Sequence, residues 1–174
     1  YSHASIFHNA AKEVASLQKV VQVGIRDFSE DEYSQIQALS SAKRWKTYFD
    51  RDLQDRIMNG SSWSSLAQEI VAQLPDQVWV SFDIDGLDPR YCPNTGTPVP
   101  GGLDWSPTLL ILETLVRSGK RVLGFDLVEV APSPEAIALL GDHAGNTTPS
   151  AAAEWDGNVG MRLLYQLCGA VLKA

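Results

Sequence analysis

The sequence predicts an α/β protein whose core is a parallel β-sheet covered by helices on both faces. Three segments, residues 19–26, 77–85 and 121–130, are almost continuous runs of Val, Ile, Leu and aromatic side chains. Such runs are typical of strands that are buried on both faces. Segments with helical periodicity alternate with these runs, and this alternation indicates a parallel sheet in a single α/β domain.

Composition and length restrict the kind of protein. The chain has 174 residues, of which 14 are basic and 21 acidic, so its formal net charge of −7 disfavours binding to a phosphate backbone. No apolar run approaches the roughly 20 residues that a membrane span needs. Two cysteines are too few for a disulfide framework, and no secretory leader opens the sequence. We therefore expect a cytoplasmic protein with no nucleic-acid or membrane partner.

Four helices are expected beside the three strands. The third of them is expected to be capped by Ser106 and to end at Gly119. Polar, turn-prone residues predict loops at 27–32, 59–62 and 141–149. The expected helices cover residues 4–17, 64–74, 107–116 and 158–172.

Charged side chains stand at the carboxyl end of each predicted strand. Arg26 ends the first strand, Asp83 and Asp85 end the second, and Glu129 lies at the end of the third. In open parallel sheets, ligands bind beyond the carboxyl ends of the strands. The sequence therefore predicts a functional site at this edge of the sheet.

The segment Ser81-Phe-Asp-Ile-Asp-Gly-Leu-Asp-Pro89 places three aspartates at the end of an apolar strand. Asp83 and Asp85 are two residues apart, so on a regular strand their carboxylates point the same way and are able to share a metal ion. Unpaired buried carboxylates cost several kcal/mol, roughly, which favours a bound cation. In the structural alternative, one aspartate caps the next turn and the other meets an arginine. Spacing alone leaves both interpretations open.

Other acidic motifs fit this segment less well. An EF-hand loop needs Gly at its sixth position and Glu at its twelfth, whereas here Gly86 is fourth and Asn94 is twelfth. A haloacid-dehalogenase-type phosphatase also begins Asp-x-Asp-Gly, with Asp83 as its nucleophile, but it usually continues with Thr or Val where this chain has Leu87. A purely structural turn stays open, because Asp-Gly and Asp-Pro are strong turn formers.

A loop rich in proline and glycine follows the aspartates, with the sequence Cys92-Pro-Asn-Thr-Gly-Thr-Pro-Val-Pro-Gly-Gly-Leu103. Its pairing with Asp-Ile-Asp-Gly-Leu-Asp-Pro resembles the ureohydrolase family, the arginases and agmatinases. The resemblance extends in order to a His-containing segment at 1–5, a strand at 21–26 and the strand at 125–132, and so covers nearly the whole chain. Asn94 departs from it, because the family usually has a small residue at that position.

The resemblance implies a three-layer, arginase-like fold, of which residues 1–174 form the C-terminal part of a single ureohydrolase domain. It also implies the hydrolysis of a guanidino compound to urea and an amine, by a hydroxide that bridges two manganese ions. Agmatine is favoured as the substrate and arginine comes next, because the strand and loop are closer to those of agmatinases. A homo-oligomer, a trimer or hexamer, is implied for the complete enzyme.

Four residues receive roles through the resemblance. Asp83 and Asp85 are the implied manganese ligands, and hard carboxylate oxygens suit this ion. Glu129 is implied to bind the guanidinium group, to which a carboxylate presents two oxygens. His3 is implied to pass a proton to the leaving amine.

The sequence also limits what the isolated chain is expected to do. It contains two of the six metal ligands that the family uses, since the Gly-Gly-Asp-His and Asp-Ala-His-x-Asp motifs are absent. We therefore expect a fold incomplete at its N-terminal side, an exposed apolar edge or face, and no working metal site in the chain alone. The alternatives are a non-catalytic module that binds a partner through that sheet, and a phosphatase using Asp83. Without the resemblance, His3 is a surface histidine, and Glu129 is equally a buried partner of Arg26 or Arg121.

Overall fold

The computed structural model describes residues 5–139 and 154–173, which contain seven helices and four strands. None of the helices in these ranges is long and apolar enough to cross a membrane. In chain order the elements are α1 (Ile6–Glu13), β1 (Val20–Ile25), α2 (Glu30–Ser41), β2 (Trp45–Phe49), α3 (Asp50–Met58), α4 (Trp63–Ala72), β3 (Gln77–Asp83), α5 (Trp105–Arg117), β4 (Arg121–Val128), α6 (Pro134–Leu139) and α7 (Trp155–Lys173).

The four strands form two parallel pairs, which confirms the predicted α/β class. The prediction of one sheet containing the strands at 19–26, 77–85 and 121–130 is not met by the described residues, because β1 is in a different two-stranded sheet from β3 and β4. β1 pairs with β2 from Val20 opposite Trp45 onward, and β3 pairs with β4 from Gln77 opposite Arg121 onward. Each pair is joined through helical connections, as parallel strands require. A single parallel bridge between Leu87 and Leu103 adds to these pairs just beyond the end of β3.

The β1–β2 pair lies between helices on both faces, as the three-layer expectation requires. On one face, Val20 and Trp45 pack with Ile36 of α2 into a buried cluster. On the other face, Tyr48 packs with Leu53 of α3 in the largest buried cluster of the described residues. Burial on both faces is the usual state of strands in a parallel sheet.

The β3–β4 pair has described helices on one face. On that face, Val78 and Val122 pack with Val71 of α4 and Leu115 of α5. On the opposite face, the Trp79 side chain is 61% exposed, and its indole N–H donates a hydrogen bond of 2.7 Å to Asp126. The expectation of helices on both faces is therefore not met by the described residues over this pair, whereas the expected exposed apolar face is present.

The largest buried cluster also lies directly beneath the carboxyl end of β3. It includes Ile84, Leu87 and Cys92, all fully buried, together with Leu163 of α7. The thiol of Cys92 lies 3.2 Å from the carbonyl oxygen of Ile84, and burial raises the pKa of this thiol to about 11. The segment after β3 is therefore seated on a rigid apolar base, and Cys92 is an unreactive part of it.

The region between β1 and α4 contains more regular secondary structure than the sequence predicted. Residues 27–32 were expected to be a loop, but α2 begins at Glu30. The Ser29 side chain caps it by accepting a hydrogen bond from the backbone N–H of Glu32. This Ser-x-x-Glu spacing is the sequence signal of a capping box and could have revealed the helix. β2 and α3 were not predicted either.

The N-terminal cap of helix α5 differs from the predicted one. It begins at Trp105 with Asp104 as its capping position, so Ser106 lies inside the first turn and is not the cap. The backbone N–H of Thr108 donates to the carbonyl oxygen of Asp104 at 3.1 Å and closes this first turn. The Thr108 hydroxyl donates to the same oxygen at 2.8 Å.

Candidate functional site

Two acidic residues stand at the carboxyl end of the β3–β4 pair. Asp83 is the last residue of β3 and is opposite Val128, the last residue of β4. Glu129 follows Val128 directly. Because parallel strands end at the same edge of a sheet, the two carboxylates belong to one cleft.

Asp85 joins this cleft from a turn and not from the strand. β3 ends at Asp83, and Asp85 lies in a 3₁₀ turn, Ile84–Gly86. The regular strand assumed for the Asp83–Asp85 pair is therefore wrong. Instead, the backbone N–H of Asp85 donates to the Asp83 carboxylate at 3.1 Å, so Asp83 caps the turn. The hydroxyl of Thr97 donates to the Asp85 carboxylate at 2.9 Å.

The electrostatics of the cleft favour a cation. Burial raises the pKa of the Asp83 carboxyl to about 6, and repulsion from the carboxylates of Asp85 and Glu129 adds to the rise. The hydrogen bond from the backbone of Asp85 opposes it. Three negative groups thus interact at one strand edge, and a bound cation would relieve their repulsion.

The acidic residues present fit part of a metal site. Within residues 5–139 and 154–173, no group of three or more His, Cys, Asp or Glu side chains is arranged to hold a metal ion. Asp83 and Asp85 together offer hard carboxylate oxygens, which suit Mn²⁺ or Mg²⁺. They are therefore able to provide two ligands of a site whose remaining ligands would have to come from elsewhere.

Glu129 has an unusual backbone conformation. Its φ of 62° lies in the left-handed region, which costs a residue with a side chain roughly 1–2 kcal/mol. Its carboxylate passes close to Gly96, where a Cβ atom would lie 3.5 Å from Oε2. A pair with Arg121 is not formed, because Arg121 begins β4 whereas Glu129 follows its end. Arg26 instead donates to backbone carbonyls.

The sequence matches the Arginase family over residues 1–155. The chain belongs to the arginase family. It is 36% identical over 147 residues to the "Agmatinase" of Chromobacterium violaceum, which covers 82% of this chain and 40% of that protein. It is 33% identical over 118 residues to human "Arginase-1", covering 68% of this chain and 35% of that protein. The chain thus spans about two fifths of the length of these relatives.

A solved structure supports the same family. The arginase from Medicago truncatula superposes with a TM-score of 0.70 at 25% identity, covering 98% of this chain and 45% of that one. The arginase-like α/β fold follows from these matches. The phosphatase alternative is thereby set aside.

Two residues connect the cleft of this arginase-family chain to β1 and α3, and sequence reasoning gave neither of them this role. The Arg26 guanidinium donates to the carbonyl oxygens of Asp85 at 2.6 Å and Leu87 at 3.2 Å. Buried Asp50, the first residue of α3, accepts a hydrogen bond of 3.1 Å from the backbone N–H of Gly102. Gly102 has a φ of 97°, and a Cβ there would lie 2.7 Å from the backbone of Leu87. Only glycine fits this close approach.

The histidine predicted to transfer a proton is not placed by the structure. His3 lies outside the described residues, which begin at Ser5. His8, for which no role was predicted, lies in α1. Of the four residues with implied roles, the described structure therefore brings together Asp83, Asp85 and Glu129.

Proposed function

We propose that this chain is the C-terminal part of a manganese-dependent ureohydrolase that hydrolyses a guanidino compound to urea and an amine. The observation that carries the proposal is the meeting of Asp83, Asp85 and Glu129 at one strand edge of an arginase-family chain. An arrangement of three carboxylates suits both a divalent cation and a cationic substrate.

Each acidic residue has a separate part in this proposal. Asp83 and Asp85 hold manganese, which when bound supplies a nucleophile that bulk water does not provide near neutral pH. Glu129 accepts hydrogen bonds from the guanidinium N–H groups and orients the guanidinium carbon towards those two aspartates. Addition of water to that carbon is followed by breakage of a C–N bond. The leaving amine takes up a proton, for which His3 is the proposed donor.

Agmatine is the substrate we propose first, with arginine second. The agmatinase of Chromobacterium violaceum is among the relatives above 30% identity, and so is human arginase-1. The family match therefore supports guanidino substrates in general, and the strand and loop sequences favour agmatine. We further propose a cytoplasmic enzyme, in keeping with the free thiols of Cys92 and Cys168, which assembles as a homo-oligomer.

Two carboxylates alone bind a divalent ion weakly, because each missing ligand removes both charge and geometry. We therefore propose that the 174-residue chain does not hydrolyse guanidino compounds by itself. Activity is expected from a longer polypeptide that contains this chain and supplies the other ligands.

The test is a urea-release assay with Mn²⁺ on both forms of the protein. The 174-residue chain and the longer polypeptide are each given agmatine and arginine, and Asp85→Asn in the longer form is the control. We expect urea from the longer form alone, faster with agmatine, and none from its Asp85→Asn variant. Urea release by the 174-residue chain would refute the requirement for further ligands.

One observation favours a second candidate, a non-catalytic module that binds a partner through its sheet. Trp79, Leu123 and Val128 of the β3–β4 pair are exposed apolar side chains, and such a surface is typical of an interaction site. Absence of urea release from the longer polypeptide would favour this candidate over the enzyme.

A further inference from the structure

The conformation of Glu129 needs support from its surroundings. A non-glycine residue with a φ of 62° is strained, and it persists only where neighbouring groups hold it. The direction of the Glu129 carboxylate depends on this backbone conformation, because the Cα–Cβ bond turns with it. Whatever fixes the backbone of Glu129 therefore also fixes the direction in which its side chain leaves the backbone, and so restricts where the carboxylate lies.

A buried hydroxyl supplies one such contact. The Thr95 side chain donates a hydrogen bond of 3.1 Å to the carbonyl oxygen of Glu129, and Thr95 is only 5% exposed. A buried hydrogen bond of this kind resists rearrangement, since breaking it leaves two polar groups without water. Thr95 lies 34 residues from Glu129 in the sequence, so this contact is made by the fold and not by local structure.

Thr95 is itself held by its neighbour in the chain. The backbone N–H and the side-chain amide of Asn94 both donate to the carboxylate of Asp156, at 2.9 and 2.8 Å. Asp156 lies in the first turn of α7 and is 1% exposed. Hydrogen bonds to a buried carboxylate are among the strong ones in proteins. The Asn94–Asp156 pair thus fixes the backbone directly before Thr95, at the position where the sequence departs from the small residue usual in the family.

We propose that Thr95, fixed by the Asn94–Asp156 pair, is a positioning residue that keeps Glu129 in its left-handed conformation and so places its carboxylate beside Asp83. The inference rests on the proposed function, in which that carboxylate binds the guanidinium group. Thr95 does not contact the substrate in this account; it acts through Glu129.

The first test needs no activity and uses the 174-residue chain. Thr95→Val removes the hydroxyl and keeps the shape, whereas Thr95→Ser keeps the hydroxyl. NMR scalar couplings and chemical shifts report the backbone conformation at residue 129 in each variant. We expect the left-handed conformation to be lost in Thr95→Val and kept in Thr95→Ser. A left-handed Glu129 in Thr95→Val would overturn the proposal.

The second test uses the longer, urea-releasing polypeptide. Thr95→Val should lower kcat/KM for agmatine by about 10- to 100-fold, the scale expected when a binding group is misplaced by about 1 Å, while the manganese content stays unchanged. Thr95→Ser should restore most of the loss. The matched control is Thr108→Val, which removes a hydroxyl that is also buried and bonded to a carbonyl, but in α5. This control should leave kcat/KM unchanged.

The variant Glu129→Gln distinguishes failure of the positioning role of Thr95 from failure of the proposed function. If Glu129→Gln loses activity and Thr95→Val does not, the positioning role is wrong and the proposed function stands. If Glu129→Gln retains full activity, the substrate role of Glu129 is wrong, and the functional part of the positioning role falls with it.

Discussion

The two ends of the β3–β4 pair differ in what their side chains contact. At the amino end, Val78 and Val122 are buried with Leu115 of α5 in an apolar cluster. At the carboxyl end, Asp83 and Glu129 repel one another, and Glu129 has a strained backbone. Apolar packing therefore stabilises both ends of the pair, because the carboxyl end lies on the cluster of Ile84 and Leu87, but only the carboxyl end also carries groups that cost stability.

The two ends of the strand pair also differ in the free energy that their groups contribute to folding. Complete burial of an aliphatic side chain contributes about 1.5–3 kcal/mol to folding. A left-handed residue such as Glu129 costs roughly 1–2 kcal/mol, and repulsion among the carboxylates adds to this cost. Such features persist at functional sites because the rest of the fold holds them in place.

The largest expected effect lies at the apolar end. Leu115→Ala leaves a cavity at a side chain that is 3% exposed, and it should lower the free energy of unfolding by about 3 kcal/mol. The matched control is Leu164→Ala, because Leu164 lies on α7 and is 45% exposed; its loss should stay below about 1 kcal/mol. Urea denaturation of the two variants measures both values. Equal losses would contradict the role given to the apolar cluster.

At the carboxyl end, a substitution of Asp83 is expected to raise the free energy of unfolding, by less than Leu115→Ala lowers it. The pKa of Asp83 is raised from 3.8 to about 6 in the folded chain, so the ionised form is less favourable in the folded state than in the unfolded one. This destabilisation is absent below pH 3.8, grows up to about pH 6 and is complete above it. In the metal-free chain at pH 7.5, Asp83→Asn should therefore raise the free energy of unfolding by about 1 kcal/mol, a value reduced for screening by water.

Denaturation across the pH range checks this prediction. The increase in the free energy of unfolding caused by Asp83→Asn should become smaller as the pH falls from 6 towards 4. The values at low pH therefore serve as the control for those at high pH. A gain that does not change with pH would mean that the aspartate is unfavourable for a reason other than its charge.

The accuracy of the sequence reading also differs between parts of the molecule. β3 and β4 were predicted because their apolar residues are continuous, and the acidic residues at their ends stand out against that background. α2 was missed because it is polar, with Ile36 as its single buried residue, so a hydrophobic pattern was lacking. β2 is only five residues long, and it was missed although its aromatic residues favour strands.

The contacts that support the site could not be predicted from local sequence patterns. Asn94 and Asp156 are 62 residues apart in the sequence, and Arg26 is 59 residues from Asp85. Such pairs form only when the strands and helices pack together. The sequence alone therefore identified the acidic residues, whereas the residues that hold them in place were identified only from the structure.

The most direct test of the account is to measure kinetics and manganese content together in the longer polypeptide, for Glu129→Gln with Asp83→Asn as its comparison. Glu129→Gln keeps the shape and removes the charge, so it should retain manganese while kcat/KM falls by an amount equivalent to about 2–4 kcal/mol. Asp83→Asn should instead lose manganese and activity together. Undiminished guanidino hydrolysis by Glu129→Gln would contradict the assignment of the substrate to this carboxylate.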